Sequence, residues 1–468
     1  MKKFYFNFKK IKNKYLITDD AGNFQYLSEK EFNKLSKDHI DRRLAKKLEK
    51  FNDNLQKIED IKNINSSSYK KPGLHIMVIS VRCNHSCVYC QASAKKEKAD
   101  MSYKTAKKSI DFALGIDREG LAIEFQGGEP LINWIVLKKA VEYAREKARK
   151  LKKDLELGVV TNLSLMDERK ADFLIKNNVY LCTSLDGPEF LHNSNRIYTE
   201  GNSYKKTVRW IKYFNKKAGW RKINGKRVFY PRPNALLTVT SESLNYPKEI
   251  IDEYVKLNLR YVFARPLMPF GYASDINVLK KISYTSKDFI IFYKKLIDYI
   301  LYLNMKGTDI KERTLRLFLT KIIKKKDSNY LDLRSPCGAA IGQIAYNYNG
   351  EIYTCDEARM LAARDDDFFL IGNVYSSKYS QIISAPQSRL CTIASNLENQ
   401  HVCFRCVYKP YCGICPVYNY LTQKNPWGNQ ITNFRCEIYK GILDYAFELI
   451  RDKKILKIFE KWVENDYR

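Results

Sequence analysis

Between residues 74 and 305 short apolar runs alternate with helical stretches, and no other feature of the chain narrows its fold so far. The runs are LHIMVIS, LAIEFQ, ELGVVT, VYLCTSL, NALLTVT and YVFARPL. Each is short, apolar and rich in β-branched residues, so each reads as a buried parallel strand. Stretches of helical spacing at 103–115, 132–150, 167–178, 203–217 and 247–257 lie between them. Parallel neighbours need crossover connections, which these helices supply. Repeated β–α units of this kind predict an α/β fold in which a parallel sheet curls into a partial (β/α)6 barrel over residues 71–305. Functional residues are then expected at the C-terminal ends of the strands.

The flanks have a different character. Residues 1–70 read as a small α+β module. FYFNF and NFQYL alternate around a DDAGN turn and predict a hairpin. Ser28, with Glu31 three positions on, predicts a capping box that opens a helix. A polar helix over about 40–60 then leads into the linker NINSSSYKKPG. On the other side, helical spacing at 286–305 and 311–325 spans a connector, residues 306–335. Residues 336–440 follow, where eight of the twelve cysteines fall between 336 and 436. So many thiols with little helical period predict a small domain organised by metal. Helical spacing returns at 437–464 and predicts a C-terminal helix within 441–468.

Cysteine usage also bears on compartment. No run of 18 apolar residues is present, so no transmembrane helix is expected. The basic start MKKFYFNFKKIKNKYLI lacks the apolar centre of a secretion signal. A cytoplasmic protein is expected, and twelve cysteines in a reducing compartment point to metal or redox chemistry. The 82 Lys and Arg outnumber the 52 Asp and Glu, a formal charge of +30. A solvated basic surface explains that as readily as an acidic partner does: a peptide, an electron-transfer protein or nucleic acid.

Directly after the first strand, VRCNHSCVYC places Cys83, Cys87 and Cys90 in a C-x-x-x-C-x-x-C loop. Three thiolates can hold three irons of a [4Fe–4S] cluster and leave the fourth open for a ligand. Structural zinc more often uses paired C-x-x-C knuckles. After the second strand stands Gln126-Gly127-Gly128-Glu129-Pro130, where the glycines let backbone approach closely and the carboxylate can accept from an amine. After the fourth strand comes TSLDGP with Ser184 and Asp186, and Arg196 lies twelve residues beyond Ser184. Cys182, inside an apolar strand, reads as a small buried hydrophobe. His85 and His192 read as structural.

The cysteine triplet followed by G-G-E-P resembles the radical S-adenosylmethionine (SAM) superfamily. The resemblance implies that Cys83, Cys87 and Cys90 ligate a catalytic [4Fe–4S] cluster whose open iron takes SAM. It implies contacts to SAM from Tyr89, Gly127, Gly128, Glu129, Ser184 and Arg196, with Asn162 in VVTN a weaker candidate. SAM cleavage would release a 5′-deoxyadenosyl radical that abstracts a substrate hydrogen.

The tail reads Cys337, twelve residues, Gly350, four residues and Cys355, then C-x-x-C-x5-C-x-x-C at Cys403, Cys406, Cys412 and Cys415, then Cys436. This resembles the SPASM domain of peptide-maturing radical SAM enzymes, which binds two auxiliary [4Fe–4S] clusters. The resemblance assigns Cys403, Cys406, Cys412 and Cys436 to one, and Cys337, Cys355 and Cys415 to the other, with its fourth iron open or held by another group. Cys391 is a candidate for that position. The final C-x-x-C is one residue shorter than the family's C-x-x-x-C. A zinc ribbon is the alternative for the C-x-x-C pairs. Asp356 and Gln126 match residues of sulfatase-maturing relatives, where the aspartate serves as a general base. In Asp356 an ordinary loop hydrogen bond explains the residue equally well.

Several segments, among them LHIMVISVRCNHSCVYCQAS, TSLDGPEFLHNSNR and YNYNGEIYTCDEARMLA, resemble the His-Xaa-Ser system radical SAM maturase. That resemblance implies a precursor-peptide substrate, a second radical SAM maturase as companion, and a leader-binding role for residues 1–70 by strand addition. A flavodoxin or ferredoxin donor fits the basic charge. Two other readings stand beside it: a formylglycine-forming sulfatase maturase, and an RNA-binding protein whose cysteines hold zinc. The sequence shows no aromatic–basic RNA-binding pattern in support of the last.

Overall fold

At the N-terminus three short strands form an antiparallel meander, β1 (Asn7–Ile11), β2 (Lys14–Thr18) and β3 (Phe24–Leu27). The structure, a computed structural model, describes residues 5–51, 54–65, 71–93, 99–223, 225–327, 331 and 333–464. The expected hairpin between FYFNF and NFQYL is thereby corrected. NFQYL pairs with KYLIT, the middle strand, whose Leu16 and Ile17 are fully buried. The DDAGN turn does join β2 to β3, closed by Gly22 N donating to Asp19 O at 3.0 Å. The capping box forms: Glu31 N donates to the Ser28 hydroxyl and Ser28 N to the Glu31 carboxylate, opening helix Glu29–Ser36. The polar helix breaks into Arg42–Lys47, a turn at Glu49–Phe51 and Asn54–Asn65, because Leu44, Leu48 and Phe51 turn into the module's own core. Residues 66–70 of the linker lie outside the described residues.

The main sheet starts with β4 (Leu74–Ser80), and a two-residue strand β5 (Ser86–Cys87) sits in the loop after it. Then come β6 (Gly120–Gly127), β7 (Asp154–Val160), β8 (Val179–Ser184) and the short β9 (Arg196–Ile197). A hairpin of β10 (Gly219–Ile223) and β11 (Lys226–Tyr230) precedes β12 (Asn234–Thr238) and β13 (Tyr261–Arg265). The six expected strands, β4, β6, β7, β8, β12 and β13, lie side by side in chain order, all parallel. Helices Tyr103–Gly115, Trp134–Lys150, Glu168–Lys176, Ser203–Lys217 and Pro247–Lys256 make the crossovers. The hairpin β10–β11 was not expected; the Asn224-Gly225 dipeptide between its strands is the sequence signal for it.

Four further strands extend this sheet: β14 (Lys311–Glu312) beside β13, and β15 (Gln343–Tyr346), β16 (Glu351–Tyr353) and β17 (Leu370–Asn373) beyond β4. β15 runs parallel to β4, and β16 and β17 are antiparallel. The sheet therefore continues from the barrel into the cysteine-rich region. Alternation along the strands separates two faces. In β6, Leu121, Ile123 and Phe125 are buried under helices while Glu124 and Gln126 are half-buried on the concave side. In β8, Leu181 and Thr183 are buried while Cys182 and Ser184 face the same concave side. Cys182 is thus a residue of the barrel lumen, which corrects its reading as a buried hydrophobe.

The C-terminal helix is two, Phe434–Leu449 and Lys453–Glu464, broken where the Asp452 carboxylate accepts from Lys454 N at 2.7 Å. The N-terminal module packs on the first of them. Phe24 and Phe447 rings meet edge to face at 5.3 Å, Lys9 pairs with Asp444 at 2.7 Å, and Thr18 Oγ1 donates to Val407 O at 2.7 Å. No described helix is long and apolar enough to cross a membrane.

Candidate active site and buried thiol sets

The cysteine loop is tied down on three sides. Cys87 in β5 lies opposite Arg196 in β9, and Val88 N donates to Asn195 O at 2.9 Å. Cys90 O accepts from Tyr272 N at 2.9 Å, across a contact only glycine permits: a Cβ on Gly271 would stand 2.3 Å from Cys90 O. The third tie is the G-G-E-P turn. Gly128 N donates to Ser80 O at 2.8 Å and Glu129 N to Arg82 O at 2.7 Å. A Cβ on Gly128 would stand 2.3 Å from Arg82 O. These glycines let the end of β6 touch the backbone that carries Cys83.

The expected polar residues gather around that loop. Glu129 is fully buried, and its carboxylate accepts from Leu131 N (2.9 Å), Thr161 Oγ1 (2.7 Å) and Asn162 N (2.8 Å). Burial pushes its pKa up to about 7 against the pull of those bonds. Asn162 Nδ2 donates to Asn84 Oδ1 at 2.9 Å and stands 3.8 Å from Cys83 Sγ. Tyr89 donates its hydroxyl to Asp186. Arg196 forms a fork on Asp186, Nε to Oδ2 and Nη2 to Oδ1, both at 3.2 Å. Its Nη1 lies 4.0 Å from Cys87 Sγ, and its guanidinium covers the Tyr89 ring at 5.3 Å. Asp186 is therefore a structural hub of the site. Ser184 stands nearby, at the C-terminal end of β8.

Within the lumen Gln126 Nε2 is buried without a hydrogen-bond partner among the described residues. Asp356 begins helix Asp356–Ala362 and is held by Arg359, through Nε at 3.2 Å and Nη2 at 2.5 Å. Glu124, which the sequence reading passed over, faces both. Burial first, then the Asp356 charge, raise its pKa to about 7, while Arg313 opposes them. Its signal in the sequence is period two: Glu124 shares a strand face with Gln126. Burial, with Glu124 adding to it, likewise raises the Cys182 thiol.

The eight downstream cysteines fall into two sets. Cys403, Cys406, Cys412 and Cys436 line one crevice that opens to solvent, with Lys440 in its wall and Cys415 at its border. Cys337, Cys355, Cys391 and Cys415 lie deeper, in one apolar cluster with Ile76, Met268 and Phe270. Gly413 makes the separation of Cys412 from Cys415 feasible: a Cβ there would stand 2.3 Å from Arg334 N and O. No three His, Cys, Asp or Glu side chains among the described residues converge as a single-ion site. A four-iron cluster asks for something else, namely thiolates held apart, each on its own iron.

Residues 77–229, which contain the cysteine loop and the first four barrel strands, match the radical SAM superfamily. This part of the chain has the radical SAM fold.

Two relatives and two solved structures extend the likeness. An uncharacterized protein of Methanocaldococcus jannaschii is 34% identical over 126 residues, 27% of this chain and 42% of its own length. The match thus spans less than half of that relative. A cysteine-type anaerobic sulfatase-maturating enzyme of Clostridium perfringens is 23% identical over 80% of this chain and 97% of its own. The solved structure of anSMEcpe with bound AdoMet superposes with TM-score 0.66 at 20% identity, covering 83% of this chain and 99% of that one. SuiB of Streptococcus suis bound to its precursor peptide SuiA gives TM-score 0.54 at 15% identity, over 92% and 98%.

Radical SAM enzymes use SAM and a [4Fe–4S] cluster, and the residues present here fit them. Cys83, Cys87 and Cys90 share one half-buried loop, and burial lifts the Cys87 thiol to about 11, Arg196 acting against it. Three sulfur donors with no carboxylate or imidazole ligand among them suit iron–sulfur chemistry. The superfamily match over residues 77–229 favours iron–sulfur chemistry over the zinc-dependent RNA-binding reading.

Proposed function

We propose that this radical SAM enzyme matures a ribosomally made precursor peptide, removing hydrogen from a side chain to leave a crosslink or an oxidised residue. One observation carries the proposal. Glu124 of the barrel lumen feels the charge of Asp356, whose chain neighbour Cys355 belongs to the deep thiol set, and the Cys83–Cys90 loop follows β4 of the same barrel. A substrate in the lumen would meet a hydrogen-abstracting centre and an electron-accepting one.

Cys83, Cys87 and Cys90 would hold the cluster, which with SAM and one electron would supply a 5′-deoxyadenosyl radical. The chain's own residues do the rest. Arg196, Asp186 and Tyr89 fix the loop, while Glu129 and Asn162 fix the strand ends beside it. Gln126, with an unsatisfied amide, is placed to bind a substrate carbonyl, and Asp356 to take a proton once Arg359 releases it. Cys403, Cys406, Cys412 and Cys436 would hold one auxiliary cluster; Cys337, Cys355 and Cys415 belong to the other. All twelve cysteines are free thiols, which suits the reducing cytoplasm. A flavodoxin or ferredoxin would supply electrons, drawn by the +30 charge.

The finer reading is the His-Xaa-Ser system maturase, working beside a second radical SAM protein, with residues 1–70 holding the peptide leader on a strand edge. Phe8, 54% exposed on the edge strand β1, supports that docking role. Alignment with the sulfatase-maturating enzyme over 80% of this chain and 97% of that one favours a second reading, formylglycine formation. One experiment separates them. The reconstituted enzyme is incubated anaerobically with SAM, a reductant and either the precursor peptide encoded beside its gene or a sulfatase-derived Cys peptide. Mass loss of two hydrogens from the precursor alone is expected. Conversion of the sulfatase peptide alone would establish the second reading. Unchanged 5′-deoxyadenosine release after Cys83, Cys87 and Cys90 are replaced by Ala would sink both.

A further inference from the structure

Arginines dominate the polar wall of a second cavity, which Phe263 and Arg265 of β13 border with their half-buried face. Arg265, Arg313 and Arg435 line it, with Glu357 as the one carboxylate among the described residues. Arg265 and Glu357 are matched to each other at 3.6 Å. Arg435 lies over the Tyr439 ring and donates to the Tyr439 hydroxyl at 2.7 Å. Arg313 differs. Its guanidinium rests on the Phe263 ring at 4.6 Å and makes no hydrogen bond or ion pair with a described residue. Its charge reaches Glu124 on β6 and the Cys182 thiol on β8, so it faces the lumen.

Two of these cations stand where a helix disfavours them. Arg313 is the first residue of helix Arg313–Lys324, and Arg435 the second of Phe434–Leu449. The dipole at a helix start favours negative charge, and an anion in the cavity would offset the opposition. The position of the cavity ties it to the chemistry. Met268 and Phe270, in its wall, also pack in the deep apolar cluster with Cys355. The same segment continues to Tyr272, whose N donates to Cys90 O at 2.9 Å.

We propose that this cavity is a carboxylate subsite for the substrate, with Arg313 forking onto a side-chain or C-terminal carboxylate of the peptide. With Arg265 taken by Glu357 and Arg435 by Tyr439, one fork is left, and a planar monoanion matches it. The inference rests on the precursor-peptide reading and deepens it: the peptide carries a negative charge close to the residue being modified.

The test reads binding, not turnover. The full chain, reconstituted anaerobically, is held with saturating SAM and no reductant, so that SAM fills its own site. Three probes are titrated by saturation-transfer nuclear magnetic resonance. N-acetyl-glutamate N-methylamide offers a side-chain carboxylate, N-acetyl-alanine a chain-terminal one, and N-acetyl-glutamine N-methylamide is the neutral counterpart. At least one acid should bind about tenfold more tightly than the amide, and the acid that does so identifies the source of the carboxylate. Arg313→Gln should remove that preference, and Arg313→Lys, which keeps the charge without the fork, should retain part of it. Circular dichroism and iron content of both variants should match wild type. Failure of both acids to outbind the amide on wild type, or a preference unchanged in Arg313→Gln, would overturn the subsite. Dehydrogenation of the precursor peptide without any acid preference would sink this proposal alone. An acid preference in an enzyme that leaves the precursor unmodified would sink the maturase reading while the carboxylate site stands.

Discussion

Removing the Asp186 carboxylate should unfasten the cysteine loop, and the structure sets the size of the effect. Asp186 is fully buried and Arg196 is 9% exposed. Burial works against the Arg196 charge, and Asp186 at 3.2 Å restores it. Asp186→Ala leaves that charge unmatched, a loss of about 3–5 kcal/mol. The Tyr89 hydroxyl loses its acceptor as well, which for a buried group costs about 1–3 kcal/mol. Both groups can relax toward the loop, so a combined loss of about 4 kcal/mol is expected. Asp186→Leu with Arg196→Met removes both charges, and its loss should fall about 2–3 kcal/mol short of the two single losses added together. The assay is urea unfolding of the anaerobic protein followed by circular dichroism, with iron counted on each variant. Asp186→Ala should lose iron from the Cys83–Cys90 site, because Arg196 stands opposite Cys87 in the ladder that holds the loop. Losses in the cycle that add to within about 0.5 kcal/mol would refute the argument.

Stability should also fall in mild acid through His75, which is fully buried with Nδ1 2.9 Å from the Tyr346 hydroxyl. Burial lowers its pKa to about 3, below the unfolded value near 6.5, so the unfolded chain takes the proton first as pH drops. The contribution is complete above pH 6.5 and about 2 kcal/mol is gone by pH 5; His75→Gln should flatten that slope in urea midpoints compared between pH 7.5 and 5. At the crevice of Cys403, Cys406, Cys412 and Cys436, Lys440 places an ammonium beside the Cys436 thiol. Lys440→Met should lower the reduction potential of the cluster held there, read by redox titration, and an unchanged potential would show that this charge is screened.

Much of the barrel could be read in the sequence because its determinants are local. Six apolar runs became six parallel strands in chain order, and the helices expected at 103–115, 203–217 and 286–305 have those bounds. The N-terminal meander was harder: KYLIT is as apolar as a core strand, and only its two partners reveal it as the middle one. Glu124 was passed over and Cys182 read as a core residue because a strand's face is assigned by what packs on it. Alternation gives the two faces, and the helices outside the sheet decide which is core and which is lumen.

The sequence by itself determined the cysteine spacings and the order of strands, since both depend on neighbours within a few residues. Spacing alone did not sort the thiols; the two sets came from the SPASM resemblance. Cys412 and Cys415 are three residues apart and border one crevice, yet only Cys415 also joins the deep apolar cluster, with Gly413 between them against the Arg334 backbone. Cys391 joins Cys337, Cys355 and Cys415 only through the packing of helix Pro386–Ser395, where the Ser395 hydroxyl accepts from Cys337 N at 2.8 Å. Ligand sets drawn from separate segments are a property of packing, which fixes distances that spacing along a chain leaves free.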